Sequence, residues 1–202
     1  MKLHIGLSLG LLSAVWAAPA SAYVASPTVT TCIRNDVATV ISSGKSEDVG
    51  TRFQIRPSTK DMKADCALEE RPGDVVIGNG PMDALSYIRL TRNVLILDAG
   101  TGPDRALVIY QVPEGKELFS GGYSIQGQCD PTSGCETDDF STDEKGLTFW
   151  REIAEKPTAK NCPGYAKFMK ATGSAAIEEK SLFSFATLKV EPLKGRRCVQ
   201  QQ

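Results

Sequence analysis

The sequence predicts a mainly β fold, an antiparallel sandwich or barrel with one or two short helices, stapled by disulfides. Two observations carry that reading. Apolar runs of strand length follow one another through Gly-, Pro- and Asn-containing turns, with no helical repeat between them. Six cysteines, an even number, sit in a chain that begins with an export-type leader. A doubly wound parallel sheet would need a helix in each crossover, and the connections are too short for that.

The leader has three parts. Met1-Lys2 supply positive charge, Leu3 to Ala18 are almost wholly apolar, and Ala20-Ser21-Ala22 form a small-residue cleavage site. Residues 1–22 therefore read as a signal peptide and 23–202 as a single exported domain, periplasmic or secreted. The first cysteine, Cys32, is too far from the cleavage site for a lipid-modified N-terminus. No later apolar run approaches the roughly 20 residues that span a bilayer as a helix. In an oxidising compartment Cys32, Cys66, Cys129, Cys135, Cys162 and Cys198 read as disulfides. No C-x-x-C spacing is present. Six cysteines allow 15 connectivities, of which pairing of neighbours is preferred: Cys32–Cys66, Cys129–Cys135 and Cys162–Cys198. Pro131 and Gly134 hold the middle loop in turn-forming positions.

Along the chain, Val37 to Ile41 and Arg52 to Ile55 are short strand candidates in an otherwise unpatterned start. Gly73 to Pro81 is loop-rich, with Gly78-Asn79-Gly80-Pro81 as a turn. Leu85 to Thr91 and Val94 to Leu97 flank Arg92-Asn93 as two strands, and Ala106 to Val112 is an apolar run suited to a buried strand. After Pro113-Glu114-Gly115-Lys116, Glu117 to Ile125 is the next strand. Gln128 to Gly146 is polar loop, and Leu147 to Ile153 returns as strand. Asn161 and Pro163 open a short helix that ends before Gly173. Lys180 to Val190 reads as one long strand, Pro192 to Gly195 as a turn, and Arg197 to Gln200 as the last strand.

Composition excludes more than it assigns. The one histidine is His4, inside the leader, so the exported chain has none. That removes Ser-His-Asp and Cys-His catalysis, imidazole-ligated zinc and histidine proton shuttles. Acids and bases nearly balance, 24 against 23, so no surplus of Lys and Arg marks a nucleic-acid binder.

Val94-Leu-Ile-Leu-Asp98-Ala-Gly100-Thr-Gly102 resembles the glycine-rich first motif of S-adenosylmethionine-dependent methyltransferases. That resemblance implies a helix after the loop, yet only Pro103-Asp104-Arg105 precede the next apolar run. Asp98-Ala99-Gly100-Thr101 also resembles the Asp-Thr/Ser-Gly signature of aspartic proteases, with Ala99 in the hydroxyl position. One copy would need a second carboxylate from a homodimer. Asp98 and Asp104 are thus candidate catalytic acids, against the plainer reading of a β-turn. Ser42-Ser43-Gly44-Lys45 is similar to the S-x-x-K of penicillin-recognising serine enzymes, without their S-D-N and K-T-G elements.

Asp130, Glu136, Asp138, Asp139, Asp143 and Glu144 fall close together. Within them, Asp138, Asp139, Asp143 and Glu144 are candidate Ca²⁺ ligands, since hard cations take carboxylate and carbonyl oxygens. No other cofactor is expected. Asp130, Glu136, Asp138 and Asp139, with Trp150, are candidates for a partner-binding loop held rigid by a disulfide. The basic C-terminal segment is a counterpart that can face the acidic one. Phe149 and Trp150 adjoin on a strand and so point to opposite faces. The functional expectation is a non-catalytic binding protein with a protein partner in the cell envelope, such as an inhibitor or immunity-type protein acting on a secreted hydrolase. The alternatives are a carboxylate hydrolase using paired Asp/Glu and a Ca²⁺-stabilised envelope protein.

Overall fold

Among the described residues twelve strands form three sheets, and their buried apolar side chains gather in two core clusters. The computed structural model describes residues 26–45, 47–78, 83–125 and 130–202. The expected leader, most of the 78–81 turn, and Cys129 lie outside these residues. The N-terminal sheet has the order β1 (Val29–Arg34), β2 (Ala38–Gly44), β3 (Arg52–Pro57), β4 (Val75–Ile77). The central sheet runs β5 (Leu85–Thr91), β6 (Val94–Ala99), β7 (Asp104–Gln111), β8 (Lys116–Ser124). The C-terminal sheet is β12 (Lys189–Gln200), β11 (Ala175–Ser184), β10 (Gly146–Ile153), β9 (Ser141–Thr142). Every pairing is antiparallel. Two short helices complete the fold, α1 (Met62–Asp65) and α2 (Tyr165–Ala171).

The continuous apolar run of β6 has a direct cause. Val94 and Ile96 enter one core with Leu107, Ile109, Leu147, Phe149 and Phe183. Leu95 and Leu97 enter the other with Val40, Phe53, Ile55 and Ile77. The central sheet is therefore covered on both faces, and a strand buried on both faces cannot alternate apolar with polar. Each such side chain contributes roughly 1.5–3 kcal/mol by leaving water. The β7–β8 turn needs Gly115, whose φ is +68° and whose missing Cβ leaves room for Val75 of β4.

Antiparallel, mainly β architecture agrees with the sequence reading, and four local expectations are corrected. Lys180 to Val190 is a hairpin, not one strand: Phe185-Ala186-Thr187-Leu188 turn the chain. Leu188 adopts φ +55°, and its N–H closes the turn on the Ser184 carbonyl at 2.8 Å. Phe185 and Leu188 pack on the core, which outweighs the cost of that backbone geometry. Pro192 and Gly195 lie inside β12 and make no turn. β12 is an edge strand, where proline's missing N–H costs no ladder bond. Asn161 does not cap α2, which starts after Gly164; its side chain accepts from the Thr158 N–H at 2.7 Å and closes the loop before it. Finally, β1, β4 and the two-residue β9 occupy stretches read as unpatterned or looped.

Two expected disulfides are present, Cys32–Cys66 and Cys162–Cys198. Cys135 is also disulfide-bonded. Among the described residues no helix is long and apolar enough to cross a membrane.

Candidate functional site

The outer side of the N-terminal sheet carries a polar core. On β3, Phe53 and Ile55 point to the apolar core, so Gln54 and Arg56 project the other way. Both are nonetheless buried, because residues 58–74 fold over them. Arg56 is the hub of that loop. Its guanidinium donates to the carbonyls of Asp65 (3.2 Å), Ala67 (3.1 Å) and Glu69 (2.8 Å), and pairs with the Asp74 carboxylate at 2.6 Å. Asp74 also accepts from the Gln54 amide (2.7 Å) and the Arg71 N–H (2.9 Å). Burial pushes the Asp74 carboxyl up, but these donors and the Arg56 charge outweigh it and leave it below the usual carboxylate range.

A second set of ties holds the other end of the loop. Buried Asp65 accepts from the Thr59 N–H (2.7 Å) and hydroxyl (2.8 Å) and pairs with Arg34 at 3.1 Å. The Thr59 N–H is the leading cause that holds this carboxyl below its usual range. Asp61 caps α1 through the Ala64 N–H at 2.9 Å, Arg71 donates to the Ala64 carbonyl, and Cys66 is bonded to β1. On this pinned frame two large apolar side chains face solvent, Met62 at 60% and Leu68 at 63% exposure. Sequence reading singled out neither; Cys66 in the middle of a charged stretch is the one signal that marks the loop.

The candidate catalytic acids are not brought together. Asp98 is fully buried at the end of β6. It accepts from the Tyr123 hydroxyl and pairs with Arg105 at 2.9 Å. Burial raises the Asp98 carboxyl more than Tyr123 and Arg105 lower it. Its nearest charged partner is a guanidinium, whereas a shared-proton dyad needs a second carboxylate. Asp104 opens β7 and accepts from the Gln202 N–H at 2.5 Å. The Gly100–Pro103 segment is the β6–β7 turn, and the next element is the antiparallel strand β7, so the methyltransferase-like arrangement is not formed. Ser42 donates to the Thr31 carbonyl at 3.4 Å, and Lys45 is exposed.

Glu178 is another buried carboxylate, which the sequence did not mark. Glu178 of β11 accepts from the Ser124 N–H (3.1 Å) and hydroxyl (2.6 Å) and from Arg197 Nε (2.6 Å). The same guanidinium reaches Asp139 at 2.8 Å and lies 4.4 Å from the Trp150 ring centroid. Trp150 Nε1 donates to Asp139 at 2.6 Å. Burial works against the Asp139 charge, but the Trp150 donor and Arg197 hold the carboxyl below its usual range. Phe149 is in the core while Trp150 is half-buried under Arg197 and Lys180. The cavity between Tyr123, Ser124, Asp139, Trp150 and Arg197 holds about 20 Å³, room for one water.

The acidic segment is stitched to three strands. Asp130 caps a 3₁₀ turn (Pro131–Ser133) and pairs with Arg105 at 3.2 Å. Glu136 pairs with Arg89 at 2.7 Å, and Asp139 with Arg197. Asp143 accepts from the N–H groups of Lys145 (2.8 Å) and Gly146 (3.0 Å). Asp138 and Glu144 are exposed, and the Glu144 carbonyl receives Arg92 at 2.8 Å. Among the described residues no three His, Cys, Asp or Glu side chains group as metal ligands; of the candidate Ca²⁺ ligands, Asp139 and Asp143 accept from different partners. The contact between the acidic and basic segments is the Arg197–Asp139 pair.

These carboxylates set an expected pH profile. Asp65, Asp74, Asp130, Asp139 and Asp143 sit below their usual range. Each contributes stability above the unfolded carboxylate value, and that stability is lost as pH falls through its folded value. Asp98, raised, acts oppositely: its contribution is complete below the unfolded value and is lost as pH rises through the folded one. Five against one, urea unfolding is expected to show stability falling steadily below about pH 4; stability that holds or rises there would contradict this balance.

No family model, curated protein or solved structure matches the chain.

Proposed function

We propose that the chain is an exported, non-catalytic binding protein that recognises a protein partner in the cell envelope, as an inhibitor or immunity-type protein recognises a secreted hydrolase. The observation that carries this reading is the 58–74 loop. Association is weakened by the entropy of ordering a flexible loop, and a loop already fixed loses little more. Here the fixing groups are the buried Arg56, the Asp65 and Asp74 carboxylates and the Cys32–Cys66 bond, while Met62 and Leu68 stay in water. Methionine in particular adapts to irregular apolar pockets. Disulfides fit the periplasm or the exterior. The buried carboxylates away from this loop, Asp98 and Glu178, already accept from arginine, tyrosine or serine, which supports a structural part for both.

The test is affinity capture from an envelope extract with the wild-type chain, with Met62→Asp/Leu68→Asp, and with Asp138→Lys in the acidic segment. The expected result is a stoichiometric partner retained by wild type and by Asp138→Lys and lost by the double variant. No partner, or equal recovery by the double variant, would overturn the proposal.

A further inference from the structure

The edges of the three sheets are unequally protected. An exposed edge strand offers unpaired N–H and C=O groups to any other strand, and proteins blunt such edges with charge, proline, bulges or short length. β12 carries Pro192 with Lys189, Lys194 and Arg196. β4 has three residues and β9 two. β5 holds a bulge and Arg89, and β8 lies against β10. β1 is the least protected: its one charge, Arg34, stands at its last position and is tied to Asp65 and the Thr59 carbonyl, while Val29-Thr30-Thr31-Cys32-Ile33 is uncharged, free of proline, regular in its pairing with β2, and exposed from Val29 to Cys32. Among the described residues nothing pairs with its outer edge.

We propose that β1 is a self-pairing edge, joining a second copy of this chain in an antiparallel continuation of the N-terminal sheet. The occupant follows from the sequence of the strand. With Thr31 on the two-fold axis, Val29 lies opposite Ile33 of the second copy, and Thr30 opposite its Cys32. Every directly opposed pair is then uncharged, and the apolar and threonine pairs are of the kind that stabilise neighbouring strands. The same register fills an open place. Val29, Thr31, Ser42, Gly44 and Val49 line a cleft of about 410 Å³ beside the edge, where Val29 is 66% and Val49 47% exposed. Ile33 of the second copy would extend the sheet beside Val29 at the mouth of that cleft. The interface is isologous. Built on a six-residue strand, it falls below the area of a permanent dimer, so the association is weak and concentration-dependent.

The test is sedimentation equilibrium of the disulfide-intact protein over a wide concentration range, with Thr31→Lys, Thr31→Glu and their equimolar mixture. Thr31 is exposed, and unchanged circular dichroism checks that each variant folds. The expected result is a wild-type mass rising toward twice the monomer's with concentration, monomers for each variant alone, and dimer recovered in the mixture, where opposite charges meet on the axis. A wild type that stays monomeric throughout, or a Thr31→Lys variant that associates as wild type does, would overturn the proposal. So would loss of a captured partner protein by Thr31→Lys without any change in self-association, which would give the edge to a foreign strand.

Discussion

Asp74→Ala is expected to destabilise the chain by about 3–5 kcal/mol, the usual cost of removing one partner from a buried ion pair. Arg56 and Asp74 meet at 2.6 Å with each side chain only 4% exposed, so no water can replace the lost carboxylate. The Gln54 amide and the Arg71 N–H lose the same acceptor. Asp74→Asn keeps the shape and one acceptor oxygen and should cost less. Urea unfolding at neutral pH reads both: a lower midpoint at unchanged slope is expected, and the 58–74 loop should loosen with it. A change below about 1 kcal/mol for Asp74→Ala, the range of exposed pairs, would mean that the Arg56 hub does not hold the loop.

Leu95→Ala and Ile96→Ala are each expected to cost about 2–5 kcal/mol, the range for emptying a large aliphatic site in a packed core. The point lies in their being neighbours. Adjacent residues on a strand face opposite sides, and in a two-layer sheet with one wet face one of the pair would be nearly neutral. Here Leu95 packs with the N-terminal sheet and Ile96 with the C-terminal sheet, both fully buried. Domain stabilities are commonly 5–15 kcal/mol, so either change removes a large share. A neutral result for one of them would show that its face is not covered.

The β class was legible because strand-length apolar runs and turn residues report local geometry directly. Layering was not. Val94-Leu95-Ile96-Leu97 says that a strand is buried, but an apolar run alone does not say what covers each face. Turn chemistry misled at two places for one reason: packing and edge position override local propensity. Phe185-Ala186-Thr187-Leu188 contains no turn former, yet by turning it buries Phe185 and partly buries Leu188. Pro192 and Gly195 look like a turn but fit an edge strand. Of the arginines that meet the acidic segment, Arg197 stood in the basic C-terminal stretch expected to face it, while Arg89 and Arg105 arrive from other strands and were not marked. Arg56 was silent for a similar cause. Arg52-Phe53-Gln54-Ile55-Arg56 alternates polar and apolar residues, a pattern that does not say what lies over the polar face, and only the fold reveals that a disulfide-anchored loop covers it.

Native-state hydrogen exchange across residues 59–74 reads most directly whether the loop is rigid before it meets the proposed partner. Within that loop the Asp65, Cys66 and Ala67 amides donate to the Asp61, Met62 and Ala64 carbonyls, and the Thr59 and Arg71 amides to the Asp65 and Asp74 carboxylates. Opening free energies range from near zero in mobile loops to the global value in core strands. These five amides are expected in the upper part of the range set by β2 and β3, and Asp74→Ala is expected to lower them together. Exchange at the rate of an unstructured peptide, with β2 and β3 still protected, would contradict that rigidity.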